Sequence, residues 1–232
     1  MGIQWQGADT MKKLVVLVSF LSLFSLTSLS QKSDPLKKYY NRNLLKNPGA
    51  EMKQGRTIRF WDDDSGQPGT RGIDRSIYGQ TAGEYDVDWG KPRGFGDYYF
   101  RLGADQDWVL DSKEQIISLT ALHKSIDLGH VGYHIDGHFS TYANGFAQLV
   151  AVFLDKNDKT LGTDRTPLLH LQEITNESNL IKKESSGIVP KKTASVAIYL
   201  EATIIKREGY GANSAWLAFA DNLSFSLYRI KK

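Results

Sequence analysis

Asn43-Leu44-Leu45-Lys46-Asn47-Pro48-Gly49-Ala50-Glu51 stands in the first quarter of the 232-residue chain, and Ala218-Phe219-Ala220-Asp221-Asn222-Leu223-Ser224-Phe225-Ser226-Leu227 near its end. In the first stretch Asn47-Pro48-Gly49 reads as a turn, because asparagine, proline and glycine each favour one of the backbone states a turn needs. A carboxylate, Glu51, follows it directly. The second stretch lies within a closing strand over residues 215–228 and carries its own carboxylate at Asp221.

Between these ends the pattern is that of strands. Residues 146–154 form a continuous apolar run of strand length, as a buried strand requires. Asp155-Lys156-Asn157-Asp158-Lys159 supplies a polar turn, after which Leu161-Gly162 resumes the sheet. Ala194, Val196, Ile198, Leu200, Ala202 and Ile204 alternate with other residues, which puts them on one face of a half-buried strand. Residues 98–103 and 115–119 read as shorter strands, with a turn around His123. Residues 176–192 are charged and serine-rich and read as a surface excursion. No helical period is convincing, and many strands with glycine-rich connections indicate an all-β sandwich or jelly roll.

The two end motifs, "NLLxNPGxE" and "ADNxSxxL", resemble those of galactose-binding-like jelly rolls, including carbohydrate-binding modules of the family 4, 9 and 22 type. Ile126-Asp127-Leu128-Gly129, the stretch over 153–162 and the strand over 195–203 resemble further segments of secreted bacterial members. The resemblance spans about residues 43–227 and implies a two-sheet β-sandwich with a binding role. It also implies that the first and last strands lie side by side, with a structural calcium held by Glu51 and Asp221. Backbone oxygens near Asn47 and Gly49 would complete that site. Calcium takes 6–8 oxygen ligands, carboxylates and carbonyls among them. The plainer alternative is a turn with two solvated carboxylates.

Lys12 and Lys13 precede an apolar run over residues 14–26, and Ser28 and Ser30 flank Leu29. A charged region, a short apolar core and small residues at a cleavage position make a signal peptide; a spanning helix needs about 20 apolar residues. The expected organisation is an upstream extension and signal over 1–30, a polar leader over 31–42 outside the core, and one β-sandwich domain over 43–232. Export to the periplasm, the cell surface or the medium follows from it. With 0 cysteines the chain has neither a disulfide framework nor a thiolate metal site. The formal net charge of +3 includes the signal lysines, so the mature chain is nearly balanced, which argues neither for a nucleic acid nor for an anionic membrane as partner, and none is expected.

Carbohydrate is the expected ligand. An aromatic ring against the C–H face of a sugar, with a few polar groups for its hydroxyls, is the usual recognition mode. Tyr85, Trp89 and Tyr142 lie in polar, glycine-rich surroundings and are the candidates for exposed platforms; Trp61 and Phe100 read as core. His130, His134 and His138 recur at i, i+4 and i+8, but Gly129, Gly132 and Gly137 argue against a helix. On a strand, i to i+4 spans about 13.5 Å, too far for one zinc ion, so a polar strand face is the better reading. Glu84 and Asp86 offer same-face carboxylates, and a glycoside hydrolase or lyase using them is the enzymatic alternative. A protein-binding surface module or adhesin on the same fold is the other.

Overall fold

A computed structural model describes residues 36–54, 57–63, 74–77, 94–104, 111–142, 145–169, 180–204 and 216–231. The chain divides into two compact units, Met1–Lys37 and Lys38–Lys232. Of the first, Leu36 and Lys37 are described. The second is all-β: a two-sheet sandwich, as the strand pattern and the end motifs imply.

Twelve strands are described. The short ones come first: β1 (Lys53–Gln54), β2 (Thr57–Ile58), β3 (Asp62–Asp63) and β4 (Asp74–Ile77). The long ones follow: β5 (Tyr98–Ala104), β6 (Asp111–Ser118), β7 (Val131–Tyr142), β8 (Gly145–Leu154), β9 (Thr160–Arg165), β10 (Ile181–Ile188), β11 (Ser195–Ile204) and β12 (Trp216–Arg229). The first sheet has the order β10-β7-β12-β5-β4 and the second β3-β6-β11-β8-β9, with β1 and β2 as a separate pair. Every described pairing between these strands is antiparallel.

Alternation decides which side chains meet. Val196, Ile198 and Leu200 of β11 stand opposite Phe153, Ala151 and Leu149 of β8, and all six are buried. From the first sheet Ile135 and Phe139 of β7 face Phe225 and Ala220 of β12 in the same inward set. Tyr133 and Phe153 meet across the sandwich with ring centroids 4.8 Å apart. Trp61 lies edge-on to Phe100 at 5.4 Å, and both are core residues as expected. The turn at His123 proves to be a 3-10 turn, Thr120–Leu122, running into a one-turn helix α1 (His123–Asp127). Leu122 and Ile126, four residues apart on one helical face, are its buried anchors.

Two expectations are corrected. The excursion over 176–192 contains β10, an eight-residue strand on the edge of the first sheet. Hydrophobic alternation is missing because one of its faces carries Ser185 and Gly187 where a core strand would place apolar residues. Ser185 donates to Asp164, and a side chain at Gly187 would strike the Tyr133 hydroxyl. The leader over 31–42 does not stay wholly outside the core. Tyr40 is buried and bridges to Leu227 of β12, the Asn41 amide donates to the Leu227 carbonyl, and the Arg229 guanidinium lies 4.8 Å from the Tyr40 ring.

Candidate functional site

The opening motif builds a tight loop around Asn47. The Asn47 side chain donates to the carbonyls of Met52 and Arg59 and accepts from the Met52 amide. Its backbone carbonyl accepts from the Trp61 indole and from the Ala50 amide. Asn47 and Ala50 both adopt positive φ, 50° and 57°, and that network offsets the cost of the left-handed backbone. The Asn47 carbonyl is thereby committed to hydrogen bonds. Asn47 organises the loop, so a cation there would draw its oxygens from elsewhere.

Glu51 and Asp221 do converge. A β-carbon added at Gly49 would lie 2.8 Å from Asp221 Oδ1 and 3.7 Å from Glu51 Oε1, so both carboxylates border one point above the turn. A β-carbon at Gly96 would fall inside the Glu51 carboxylate. Glu51 Oε1 accepts from the Tyr98 amide at 2.9 Å and Asp221 Oδ1 from the Asn222 amide at 2.6 Å. Asp221 is 1 % exposed although it points away from the core. A hollow of about 320 Å³ lies here, with Gly49, Glu51, Gly96 and Asp221 in its wall. Among the described residues no group of three or more acidic or histidine side chains is arranged to hold a metal ion. Two carboxylates bordering one point are donors of the kind a hard cation takes.

A second arrangement lies on the face of the second sheet that points away from the core. Gln148 of β8 stands opposite Glu201 of β11, and Val150 opposite both Tyr199 of β11 and Arg165 of β9. Gln148 Nε2 donates to Glu201 Oε2 at 3.0 Å, and Arg165 Nη1 lies 3.5 Å from the same oxygen. Gln148 and Val150 are buried and Tyr199 and Glu201 half-buried, while Arg165 is exposed at the rim. An amide, a carboxylate and a guanidinium beside a tyrosine are an array of donors and acceptors suited to a polyhydroxylated ligand.

The outward face of the first sheet carries the histidines. His134 Nε2 lies 3.3 Å from Asp136 and 3.7 Å from Glu184, while Lys182 bridges the same two carboxylates. The lysine lowers the pKa of Glu184, and the Glu184 hydrogen bond raises that of Lys182. His138 packs edge-on against Phe95 with centroids 4.8 Å apart. It stands opposite Asp221, and its buried Nδ1 has no hydrogen-bond partner among the described residues. The strand reading of the histidine series therefore holds for His134 and His138; His130 precedes β7.

Of the other expected site residues, Tyr85, Trp89, Glu84 and Asp86 lie outside the described residues. Tyr142 ends β7 opposite Leu217, and its side chain is likewise outside them. Sequence reasoning passed over Gln148, Tyr199, Glu201 and Arg165. The available signal was a glutamine within the apolar run of β8 and a glutamate within the alternation of β11; only the register shows that they meet.

No family model matches the chain, and no curated protein does. Among solved structures it is similar to the enzymatically active domain of bacteriophage CBA120 tailspike protein 4, at 12% identity and a TM-score of 0.48 over 80% of this chain and 21% of that one. It thus spans about a fifth of that protein's length. It is also similar to the CBM22-1 xylan-binding domain of Paenibacillus barcinonensis Xyn10C, at 14% identity and a TM-score of 0.45, over 83% of this chain and 99% of that one. A third is the C-terminal family 22 carbohydrate-binding module of Clostridium thermocellum Xyn10B, at 10% identity and 0.43, over 84% and 96%.

Proposed function

We propose that the chain is an exported, non-catalytic carbohydrate-binding module whose ligand lies across the outward face of the second sheet. The observation that carries this is the buried Gln148 and half-buried Glu201, bonded to each other beside Tyr199, with the exposed Arg165 guanidinium at their rim. Polar groups sheltered from bulk water on a face away from the core can exchange their mutual bonds for bonds to sugar hydroxyls. The end motifs favour the same reading. Calorimetric titration against neutral polysaccharides tests it, xylan first because similar modules carry it in their names. Glu201→Gln and Tyr199→Ala should each weaken binding at least about tenfold, or roughly 1.4 kcal/mol, while melting close to the parent. A stable parent protein that binds no polysaccharide overturns the reading and moves the search to a protein partner. Release of reducing ends from the same polysaccharides would assign catalysis instead.

In the same reading calcium ties the opening loop to the closing strand through Glu51 and Asp221, with Gly49 as a backbone donor. The support is the convergence of both carboxylates on Gly49. A ligand that binds only the folded state adds about 2.7 kcal/mol at a hundredfold excess over Kd. The melting temperature should fall in chelator and recover with calcium, and Asp221→Ala should abolish that response. An unchanged melt in chelator leaves the motif as a hydrogen-bonded turn.

A further inference from the structure

A groove of about 950 Å³ runs beside β6, separate from the cluster on β8, β9 and β11. Its construction follows from an incomplete sheet edge. β3 covers β6 only at Glu114 and Lys113, so among the described residues the rest of β6 pairs with no strand on that side. The opening segment lies there instead, clipped by Gln115, whose side chain accepts from the Lys46 amide and donates to the Lys46 carbonyl.

The lining has one sign of charge. Lys38, Arg42 and Lys46 recur every fourth residue along the opening segment, and no carboxylate is among the residues that line the groove. All three are exposed. Phe60 stands at the rim, 37 % exposed, with Lys46 Nζ 5.1 Å and the Arg59 guanidinium 4.7 Å from its ring centre. It is held at φ 71°. A bulky residue in the left-handed region costs on the order of 1–3 kcal/mol and persists where the surroundings dictate it. Ile116, 64 % exposed, adds an apolar floor. Cations are thus arrayed beside an exposed ring and an apolar side chain. That combination can hold an anionic group and the C–H face of its ring together.

We propose that this groove binds a polysaccharide bearing carboxylate or sulfate groups, with Lys38, Arg42 and Lys46 pairing its charges and Phe60 meeting its ring. The proposal rests on the reading of the protein as a polysaccharide binder, and gives it a second site of different specificity. Exposed charge pairs are screened by salt, whereas hydrogen bonds to neutral hydroxyls are much less so. That difference makes the site separable.

Binding is measured with polygalacturonate, dextran sulfate, neutral xylan and polyglutamate at about 50 mM and about 500 mM NaCl. At least one anionic polysaccharide should bind and lose about tenfold or more in affinity at the higher salt. Polygalacturonate alone would identify carboxylate as the recognised group, and dextran sulfate alone would identify sulfate. The triple variant K38Q/R42Q/K46Q should lose about tenfold or more of that binding with an unchanged melt. Arg42→Glu, a single surface change, should move in the same direction. Glu201→Gln should leave anionic binding intact, so failure on xylan alone strikes the sheet-face reading and spares the groove. The groove proposal falls if no anionic polysaccharide binds, or if the triple variant binds as well as the parent. Polyglutamate binding equally well would overturn it in favour of an acidic peptide.

Discussion

His138 sits where the outward face of the first sheet meets the loop carrying Phe95. Burial lowers its pKa; Asp136 opposes that shift and Lys182 adds to it. Lys182 of β10 and Asp221 of β12 stand in register with it on either side. Because the folded-state pKa is depressed, the unfolded chain takes up a proton that the folded chain resists. Stability is therefore full above about 6.5, the ordinary histidine value, and falls as pH drops through it toward the folded value. Melts taken from pH 8 down to 5.5 should show that decline, and His138→Gln should flatten it relative to the parent. Parallel curves for the two proteins would mean that His138 does not carry the effect. Tyr133 shows the opposite economy of charge: its hydroxyl donates to Asp164 Oδ2 at 2.8 Å, and burial followed by that bond raises its pKa. Ser185 donates to the same oxygen. One carboxylate on β9 thus ties together β7 and β10 at the edge of the sandwich.

At the scale of elements, the closing strand is defined by its irregularity. The pairing of β12 with β7 shifts between Asp221 and Ser224. Asn222 takes φ 48°, and Leu223 turns into the core while its amide donates to the Pro48 carbonyl. Gly137 stands across from this bulge, and a β-carbon there would lie 2.7 Å from Leu223 and from the Phe139 ring. A bulge re-aims the side chains beside it, and here it leaves Asp221 directed at the opening loop. Asn222→Gly should be nearly neutral, because asparagine and glycine both accept this backbone. Asn222→Val should cost about 1–3 kcal/mol, read as a lower denaturation midpoint with an unchanged slope. Equal midpoints for the two variants would show that the bulge relaxes without strain.

The elements that could be read from sequence were those whose burial imprints a period. The apolar run of β8, the alternation of β11 and the turn at Asp155, whose carboxylate accepts from the Asn157 and Lys159 amides, all stand where expected. β10 left no such imprint, since an edge strand lined by Ser185 and Gly187 has no apolar face to declare. The pairing of Glu51 with Asp221 was legible through its motifs. The cluster at Glu201 was not, because register is a property of two strands and neither sequence alone encodes it.

Taken as a whole, the molecule is closed by its ends. Asn43 Oδ1 accepts from the amides of Leu45 and Phe225, and its Nδ2 donates to the Leu223 carbonyl. Each such bond contributes about 0.5–1.5 kcal/mol net. Asn43→Ala should therefore cost about 2–3 kcal/mol in chemical denaturation. Equal stability of Asn43→Ala and the parent would show that the ends are held by other contacts.

The position of β12 has a consequence in time. It is the last strand in the chain, yet it occupies the middle of the first sheet, between β7 and β5. As a nascent chain leaves the ribosome, β7 and β10 can pair early, but neither β5 nor β4 can join them until residues 216–229 emerge. The second sheet, whose strands all precede residue 205, must meanwhile wait for the surface that covers it. Such a polypeptide stays open until residues 216–229 have been made. Under the export proposed above, a late-arriving central strand would keep the chain pliable while it is threaded through a translocation pore.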